Sequence, residues 1–220
     1  MDPQIRQLLD AGTAVICDVF DASGRLPLAL DTGLFPVKRP SPAFAGPAYT
    51  VTGESFRWTG GGDRAKLAAI DAMEPASVPV WAGNDIRGVC CFGDLLGGAM
   101  LARGCAGVVV DGGVRDVAYL SQIDLPIMTR YRAAAQAIGR WRVTGRQVPI
   151  QVRGALEDFV TVNPGDIIVA DDDGVIVVPR GDLDAIVDRV VAWSKSESGA
   201  REEILKGLPL LAALDKYGHL

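Results

Sequence analysis

The sequence predicts an α/β fold with helical segments at both ends, and three observations carry that prediction. Between residues 78 and 130 the chain alternates apolar runs with helical stretches, in the order strand, helix, strand, helix, strand. That order is the pattern of a partly parallel sheet with crossover helices. After residue 140 come closely spaced β runs divided by the turn signals "NPGD" and "DDDG". From about residue 182 the chain reads as helix to its end. No linker divides these parts, so residues 1–220 are expected to form one domain.

In chain order, residues 3–24 read as a helix and a second short helical stretch, with Leu8, Leu9, Val15, Ile16, Val19 and Phe20 inward. Residues 25–45 are rich in proline, lack a sustained period, and read as an extended connection. "AGPAYTVTGES" alternates as a strand does. "GGGDRAKLAAIDAM" gives a glycine loop and then a helix with Leu67, Ile70 and Met73 on one side; "SVPVWAG" is a short strand. "GDLLGGAMLARG" is a helix carrying Leu95, Leu96, Ala99, Met100 and Leu101, with Gly104 as its C-cap. "AGVVVDG" is a buried strand, "VRDVAYLSQI" a second helix and "LPIMTR" a second strand. "RWRVTGRQVPIQVRG" and "DFVTVNPGDIIVADDDGVIVVP" supply antiparallel strands.

Composition narrows the function classes. The formal net charge is −5, which argues against a nucleic-acid surface, since phosphate binding needs clustered Lys and Arg. The amino terminus has early acidic residues and no long apolar core, so no signal peptide is expected. No stretch reaches the roughly 18 apolar residues of a membrane span. The 4 cysteines, Cys17, Cys90, Cys91 and Cys105, show no CxxC spacing. They read as small buried thiols in a reducing cytoplasm. A zinc site is not expected, because the one histidine, His219, is next to last.

The chemistry concentrates in "VVVDGGVRDVAYL", residues 108–120. Ligands of α/β sheets gather at the carboxyl ends of strands. Here Asp111 closes a strand, Gly112 and Gly113 permit a sharp turn and close approach, and Arg115 and Asp116 open the next helix. The plain alternative is that Asp116 answers a helix dipole and Arg115 a surface carboxylate. "FGDLLGG" supplies a second helix start, whose free amides form an anion site. Arg115 would complete it with a bidentate grip on a carboxylate. Asp116 would hold a divalent cation against the same ligand, as a lone carboxylate commonly holds magnesium. The set suits a 2-oxo acid.

"GDLLGGAMLARGCAGVVVDGGVRDV" resembles the 4-hydroxy-4-methyl-2-oxoglutarate aldolase family, which also contains the regulators of ribonuclease E activity A. "AGPAYTV", "LPIMTR", "VNPGDIIVADDDGVIVVP" and "LDKYG" follow in the family's order, so the resemblance covers nearly the whole chain. It implies an α/β/β sandwich resembling a swivelling β/β/α domain, assembled as a homotrimer or hexamer with active sites between subunits. It further implies a divalent-metal-dependent (Mg2+ or Mn2+) aldolase that releases pyruvate from substrates of the 4-hydroxy-4-methyl-2-oxoglutarate or 4-carboxy-4-hydroxy-2-oxoadipate type. The same site would decarboxylate oxaloacetate through a metal-stabilised pyruvate enolate. By position, Asp116 matches the metal ligand, and Arg115 the group on the pyruvate carboxylate and keto oxygen. Gly93, Asp94, Leu95 and Leu96 match the carboxylate-binding loop, with Arg115 and Asp94 as the catalytic pair. The chain departs from the family at Tyr119, where a Glu or Asp is expected to serve metal waters; Asp94 and Asp111 are the nearby substitutes. The alternative role is a non-catalytic binding protein that regulates a ribonuclease.

Other features read more plainly. "DDDG" is a turn rather than a calcium loop, because further ligands are missing. "GGGDR", Gly60 to Arg64, is a weak phosphate-cradle signal. Trp141 and Trp193 read as packing or interface residues, and Glu202 and Glu203 as a solvated part of the tail that could reach a neighbouring subunit. Residues 84–120 contain no lysine, and Lys66 lies on a helix upstream, so enolate stabilisation is assigned to metal and Arg115 rather than to a Schiff base.

Overall fold

The computed structural model describes all residues except Gly60, Asp85 and Leu220. Helices α1 (Pro3–Ala11) and α2 (Thr13–Asp21) come first. Asp2 caps α1 by accepting the Gln4 amide at 2.8 Å, and Pro3 fits a first turn that needs no amide. Gly12, at φ 88°, breaks the two helices apart. Asp171 then holds the start of α2 from across the molecule, accepting the Thr13 amide at 2.8 Å and hydroxyl at 2.7 Å. It also accepts the Asp173 amide at 3.0 Å, which makes "DDDG" a turn.

The strands are β1 (Phe35–Pro36), β2 (Phe44–Ser55), β3 (Val78–Ala82), β4 (Cys90–Phe92), β5 (Val108–Val114) and β6 (Ile127–Arg132). They continue with β7 (Trp141–Arg146), β8 (Ile150–Arg153), β9 (Phe159–Val162), β10 (Ile167–Ala170) and β11 (Val175–Val178). Helices α3 (Arg64–Asp71), α4 (Asp94–Ala102) and α5 (Val117–Leu120) alternate with β2 to β6; α6 (Leu183–Leu205) and α7 (Leu210–Tyr217) close the chain.

The main sheet runs β1-β6-β5-β3-β2-β10-β11. Strands β2, β3, β5 and β6 are mutually parallel, as the alternation predicts. Strand β2 is long enough to serve two edges. Its first residues pair antiparallel with β10 and its last, from Val51, with β7, in a ladder interrupted by a bulge at Thr52/Gly53. A Cβ on Gly53 would lie 2.1 Å from the Trp141 ring, so only glycine fits that crossing. This switch curls the sheet. Strands β8 and β9 form a separate pair packed on one face of it, against Val80, Val109 and Ile168.

Period-two alternation sorts the core into layers. Val108 and Val110 face α3 to α5 with Tyr49 and Trp81, whereas Val109 faces the opposite cluster with Val80 and Val152. On the far side, Ile167, Val169, Ile176 and Val178 pack against α1, α2 and α6. The architecture is the expected α/β class, with a curled sheet and helical segments at both ends. Among the described residues, no helix is long and apolar enough to cross a membrane.

Four local readings change. Strand β4 carries no alternation, and nothing in the sequence pattern announces it. The expected second helix shrinks to the 4 residues of α5. Residues 117–126 as continuous helix would rise only roughly 15 Å. The 7-residue strand they run back along spans roughly 23 Å, and after α5 the chain passes through turns and bends at 121–124 instead of continuing as helix. Leu67, Leu95 and Leu101 face outward at 53%, 81% and 36% exposure. The inward face of α3 is Lys66, Ala69 and Ile70, continued by Met73, an i, i+3, i+4, i+7 stripe that begins with a lysine.

Ile176 is fully enclosed between β11 and the terminal helices. Ile176→Ala should cost ~2–5 kcal/mol in urea unfolding, the usual range for emptying a core site. A loss below ~1 kcal/mol would contradict this layer assignment.

Candidate active site

Strand β5 delivers the site. It does not stop at Val110; all of Val108–Val114 is strand and buried. Asp111 is therefore removed from the candidate set. It is 5% exposed and ion-paired to Arg130, which also reaches Asp31 at 2.9 Å. A carboxylate so engaged inside the sheet does not serve Asp116. Gly113 answers to packing rather than to a ligand, because a Cβ there would lie 2.4 Å from the Tyr131 ring and 2.7 Å from the Val89 carbonyl.

Arg115 and Asp116 follow at the strand's exit. Asp116 is left-handed, at φ 57° and ψ 35°, a conformation Asp tolerates better than most residues. Its side chain makes no capping bond to α5. Instead Oδ2 accepts the Asp94 amide at 3.2 Å and Arg115 Nε at 3.2 Å. The expected dipole partnership exists, but with α4. Gly93 permits it: a Cβ there would stand 2.6 Å from Asp116 Oδ2.

The amides of the "GDLL" turn are not all free. Asp94 gives its amide to Asp116, and Leu95 donates to the Asp94 side chain at 2.7 Å. The Leu96 amide has no protein acceptor among the described residues. The expected four-residue cradle is thus narrower in this state.

Lys66, Gly93, Asp94, Leu96 and Arg115 line one cleft of ≈ 200 Å³. Asp116 lies behind Arg115, on an adjoining groove of ≈ 440 Å³ that also includes Arg132. Arg115 borders both. Its side chain is 41% exposed and that of Asp116 36%, so their contact contributes little to stability. Among the described residues, no three His, Cys, Asp or Glu side chains form a metal cluster. What is present is one carboxylate whose Oδ1 carries no protein hydrogen bond. That donor set fits a cation that keeps waters and takes ligand oxygens, as magnesium does. Tyr119 is 48% exposed and adds no carboxylate.

Lys66, placed by the sequence on an upstream helix away from the chemistry, belongs to the cleft. It is 7% exposed; its Nζ donates to the Cys91 carbonyl at 3.3 Å and lies 5.4 Å from the centre of a Trp141 ring. Burial pulls its pKa below the ordinary 10.5, and the Arg115 charge adds to that. Asp63, at the head of α3, accepts the Lys66 amide at 3.1 Å and the Val143 amide at 2.8 Å. A carboxylate therefore fills the helix start that "GGGDR" offered to phosphate; Gly60 of that stretch lies outside the described residues. The signal that marks Lys66 is its place on the α3 core stripe.

The cysteines are free, as expected, and Cys90, Cys91 and Cys105 are buried. Burial raises the Cys91 thiol to about 12 and the Cys17 thiol to about 11, so neither is a nucleophile at neutral pH. Trp141 is 1% exposed and bonds Gly83, a packing residue as expected; Trp193 stacks on His219 at 3.8 Å. Glu203 pairs with Lys216 at 2.6 Å within the tail.

Two outcomes follow from this geometry. Gly93→Ala should keep the fold but displace Asp116, weakening oxalate binding by calorimetry at least ~10-fold, about one charge-assisted hydrogen bond. Unchanged affinity would contradict the close approach. For Lys66, the unfolded chain holds a proton that the folded chain lacks, between the lowered folded value and 10.5. Wild-type stability should therefore rise with pH relative to Lys66→Met across that window, measured by urea unfolding. A relative fall would show that the ammonium is stabilised rather than strained by burial.

Comparison with known proteins agrees with this architecture. A family model described as RraA-like, Aldolase/RraA, matches residues 13–177. Protein DlpA of Legionella pneumophila is 31% identical over 215 residues, covering 97% of this chain and 33% of DlpA, so the chain spans about a third of that relative. A Halalkalibacterium halodurans protein named "Putative 4-hydroxy-4-methyl-2-oxoglutarate aldolase" is 32% identical over 179 residues, 79% of this chain and 78% of that protein. Among solved structures, Streptomyces coelicolor RraAS2, described as an unusual member of the RNase ES inhibitor RraA protein family, matches with a TM-score of 0.77 and 26% identity, covering 91% of this chain and 97% of that one. By the family model and these similarities, this chain belongs to the RraA-like family.

Proposed function

We propose that this chain is a divalent-metal-dependent, pyruvate-releasing lyase that cleaves a 4-hydroxy-2-oxo acid and also decarboxylates oxaloacetate. One observation carries the reading. Arg115, the start of α4 and the Asp116 carboxylate meet at one junction beside a cleft the size of a small acid. The aldolase name borne by the H. halodurans relative supports it.

Asp116 would hold the cation, through the oxygen that no protein group occupies. Bound there, the cation would supply Lewis acidity to the substrate's keto oxygen. The rest is the work of this chain's residues. Arg115, tied through Nε to Asp116, keeps its terminal nitrogens for the substrate carboxylate. The Leu96 amide donates beside it. Asp94 is the cleft carboxylate suited to move protons, since Asp63 is engaged by two backbone amides. In the cleavage, Asp94 takes the C4 hydroxyl proton, the C3–C4 bond breaks, and its electron pair passes to the C2 oxygen. Arg115 opposes the negative charge that develops there. Protonation at C3 then yields pyruvate. In oxaloacetate the same electron pair comes from loss of CO2, so one site serves both reactions.

A second reading, a protein-binding regulator, rests on Tyr119 standing where the family carries an acid, and on the similarity to RraAS2, a member of an RNase inhibitor family. Assembly as a homotrimer or hexamer is part of the first proposal, with Leu95, 81% exposed beside the cleft, as a contact for a second copy.

The test is pyruvate release from oxaloacetate and from 4-hydroxy-4-methyl-2-oxoglutarate, with magnesium or manganese and then with a chelator. Turnover should be metal-dependent. Asp116→Asn, which keeps the shape and tolerates the left-handed backbone, should lower it ~10²-fold or more. Arg115→Lys should lower both activities in parallel by ~10²-fold, because the planar fork is lost. Turnover that survives chelation, or full activity of Asp116→Asn, would overturn the lyase mechanism; absence of turnover on either substrate would favour the regulator.

A further inference from the structure

Lys66 is an uncommon residue for its position. Lysines are almost never enclosed unless paired, yet this one is 7% exposed and enters no ion pair among the described residues. Its stem lies on the inward stripe of α3, and its ammonium has one protein acceptor, the Cys91 carbonyl, and one ring face, Trp141. An ammonium carries three donors. The other cation of the same cleft, Arg115, already has Asp116 against it at 3.2 Å. Asp63 acts on Lys66 only through space, where its charge partly offsets the effect of burial; its oxygens accept the amides of Lys66 and Val143, and it makes no hydrogen bond or ion pair to the ammonium. The cleft therefore holds a desolvated positive charge with unused donors and no carboxylate of its own bonded to it.

We infer that Lys66 binds the second carboxylate of a dianionic 2-oxo acid whose first carboxylate is held by Arg115. This rests on the proposed lyase reading of the cleft and adds to it the residue that sets charge selectivity. The two cations line the same ≈ 200 Å³ space, so one short ligand can meet both. A monocarboxylate would leave Lys66 unanswered. A dicarboxylate supplies the missing counter-charge beside an ammonium already withdrawn from water, where a charge-assisted hydrogen bond is strengthened. Lys66 is thus a specificity residue.

The experiment compares wild type with Lys66→Met and Lys66→Arg by titration calorimetry in magnesium buffer. The probes are pyruvate, 2-oxoglutarate and succinate. Wild type should bind 2-oxoglutarate ~10- to 100-fold more tightly than pyruvate, the size of one charge-assisted hydrogen bond. Lys66→Met should abolish that preference while changing pyruvate affinity less than ~3-fold, and Lys66→Arg should restore part of it. In turnover, the loss should fall on KM for oxaloacetate more than on kcat. If Lys66→Met does not fold, Lys66→Gln takes its place. A wild type without preference, or a variant that weakens both 2-oxo acids equally, would overturn the assignment. So would a borohydride-trapped pyruvate adduct on Lys66, which would make it a nucleophile. If neither 2-oxo acid binds but succinate binds in a Lys66-dependent way, the lyase reading fails and the carboxylate assignment stands. Binding of none of the three would overturn both.

Discussion

The contact on which the candidate site depends is the one between the Asp116 carboxylate and the amide of Asp94. It joins the exit of β5 to the first turn of α4. Three local constraints serve it. Gly93 leaves room for the carboxylate. Asp116 adopts a left-handed backbone that turns its side chain back toward α4 rather than onto α5. Strand β4, paired to the far end of β5, brings Phe92 and hence Gly93 alongside. Because Arg115 Nε shares the same oxygen, the guanidinium is oriented by the same junction. Carboxylate, guanidinium and helix start are thus set by one piece of geometry.

Much of this is legible in the sequence, and the reasons are physical. The parallel core strands are short runs of β-branched residues between helical stretches, and such runs seldom mislead. The turns at 163–166 and 171–174 announce themselves through Asn, Pro, Asp and Gly. Arg115, Asp116 and the glycine-flanked helix start can be named because charge at a strand exit has few structural uses. What escapes is whatever depends on contacts distant in sequence. Asp111 reads as a strand-end carboxylate until Arg130, on the neighbouring strand, is seen to bury it. Gly113 reads as a ligand-approach residue until the Tyr131 ring occupies that space. The short α5 gives way to turns and bends at 121–124, which no periodicity reports.

Lys66 shows the same limit in reverse. A lysine beside a leucine on an amphipathic helix reads as solvated, and Leu67 as buried; the structure exchanges them. The exchange is informative because burying an ammonium without a paired acid is costly, whereas turning α3 by one residue would hide Leu67 instead. Its neighbours are an apolar cleft wall, a tryptophan face and a single carbonyl. The cost is offset when a ligand supplies the counter-charge, which links the packing of α3 to the chemistry proposed for the cleft.

The central claim is that the Asp116 junction holds a divalent cation next to a bound 2-oxo acid, and its most direct test needs no turnover. The electron paramagnetic resonance signal of free Mn2+ falls as the ion binds protein. Titration of the wild type in the presence of oxalate, a planar stand-in for the pyruvate enolate, is predicted to remove about one Mn2+ per chain. The same titration of Asp116→Asn is predicted to leave the signal near that of buffer. Equal Mn2+ uptake by both proteins, or none by the wild type with oxalate present, would contradict the account.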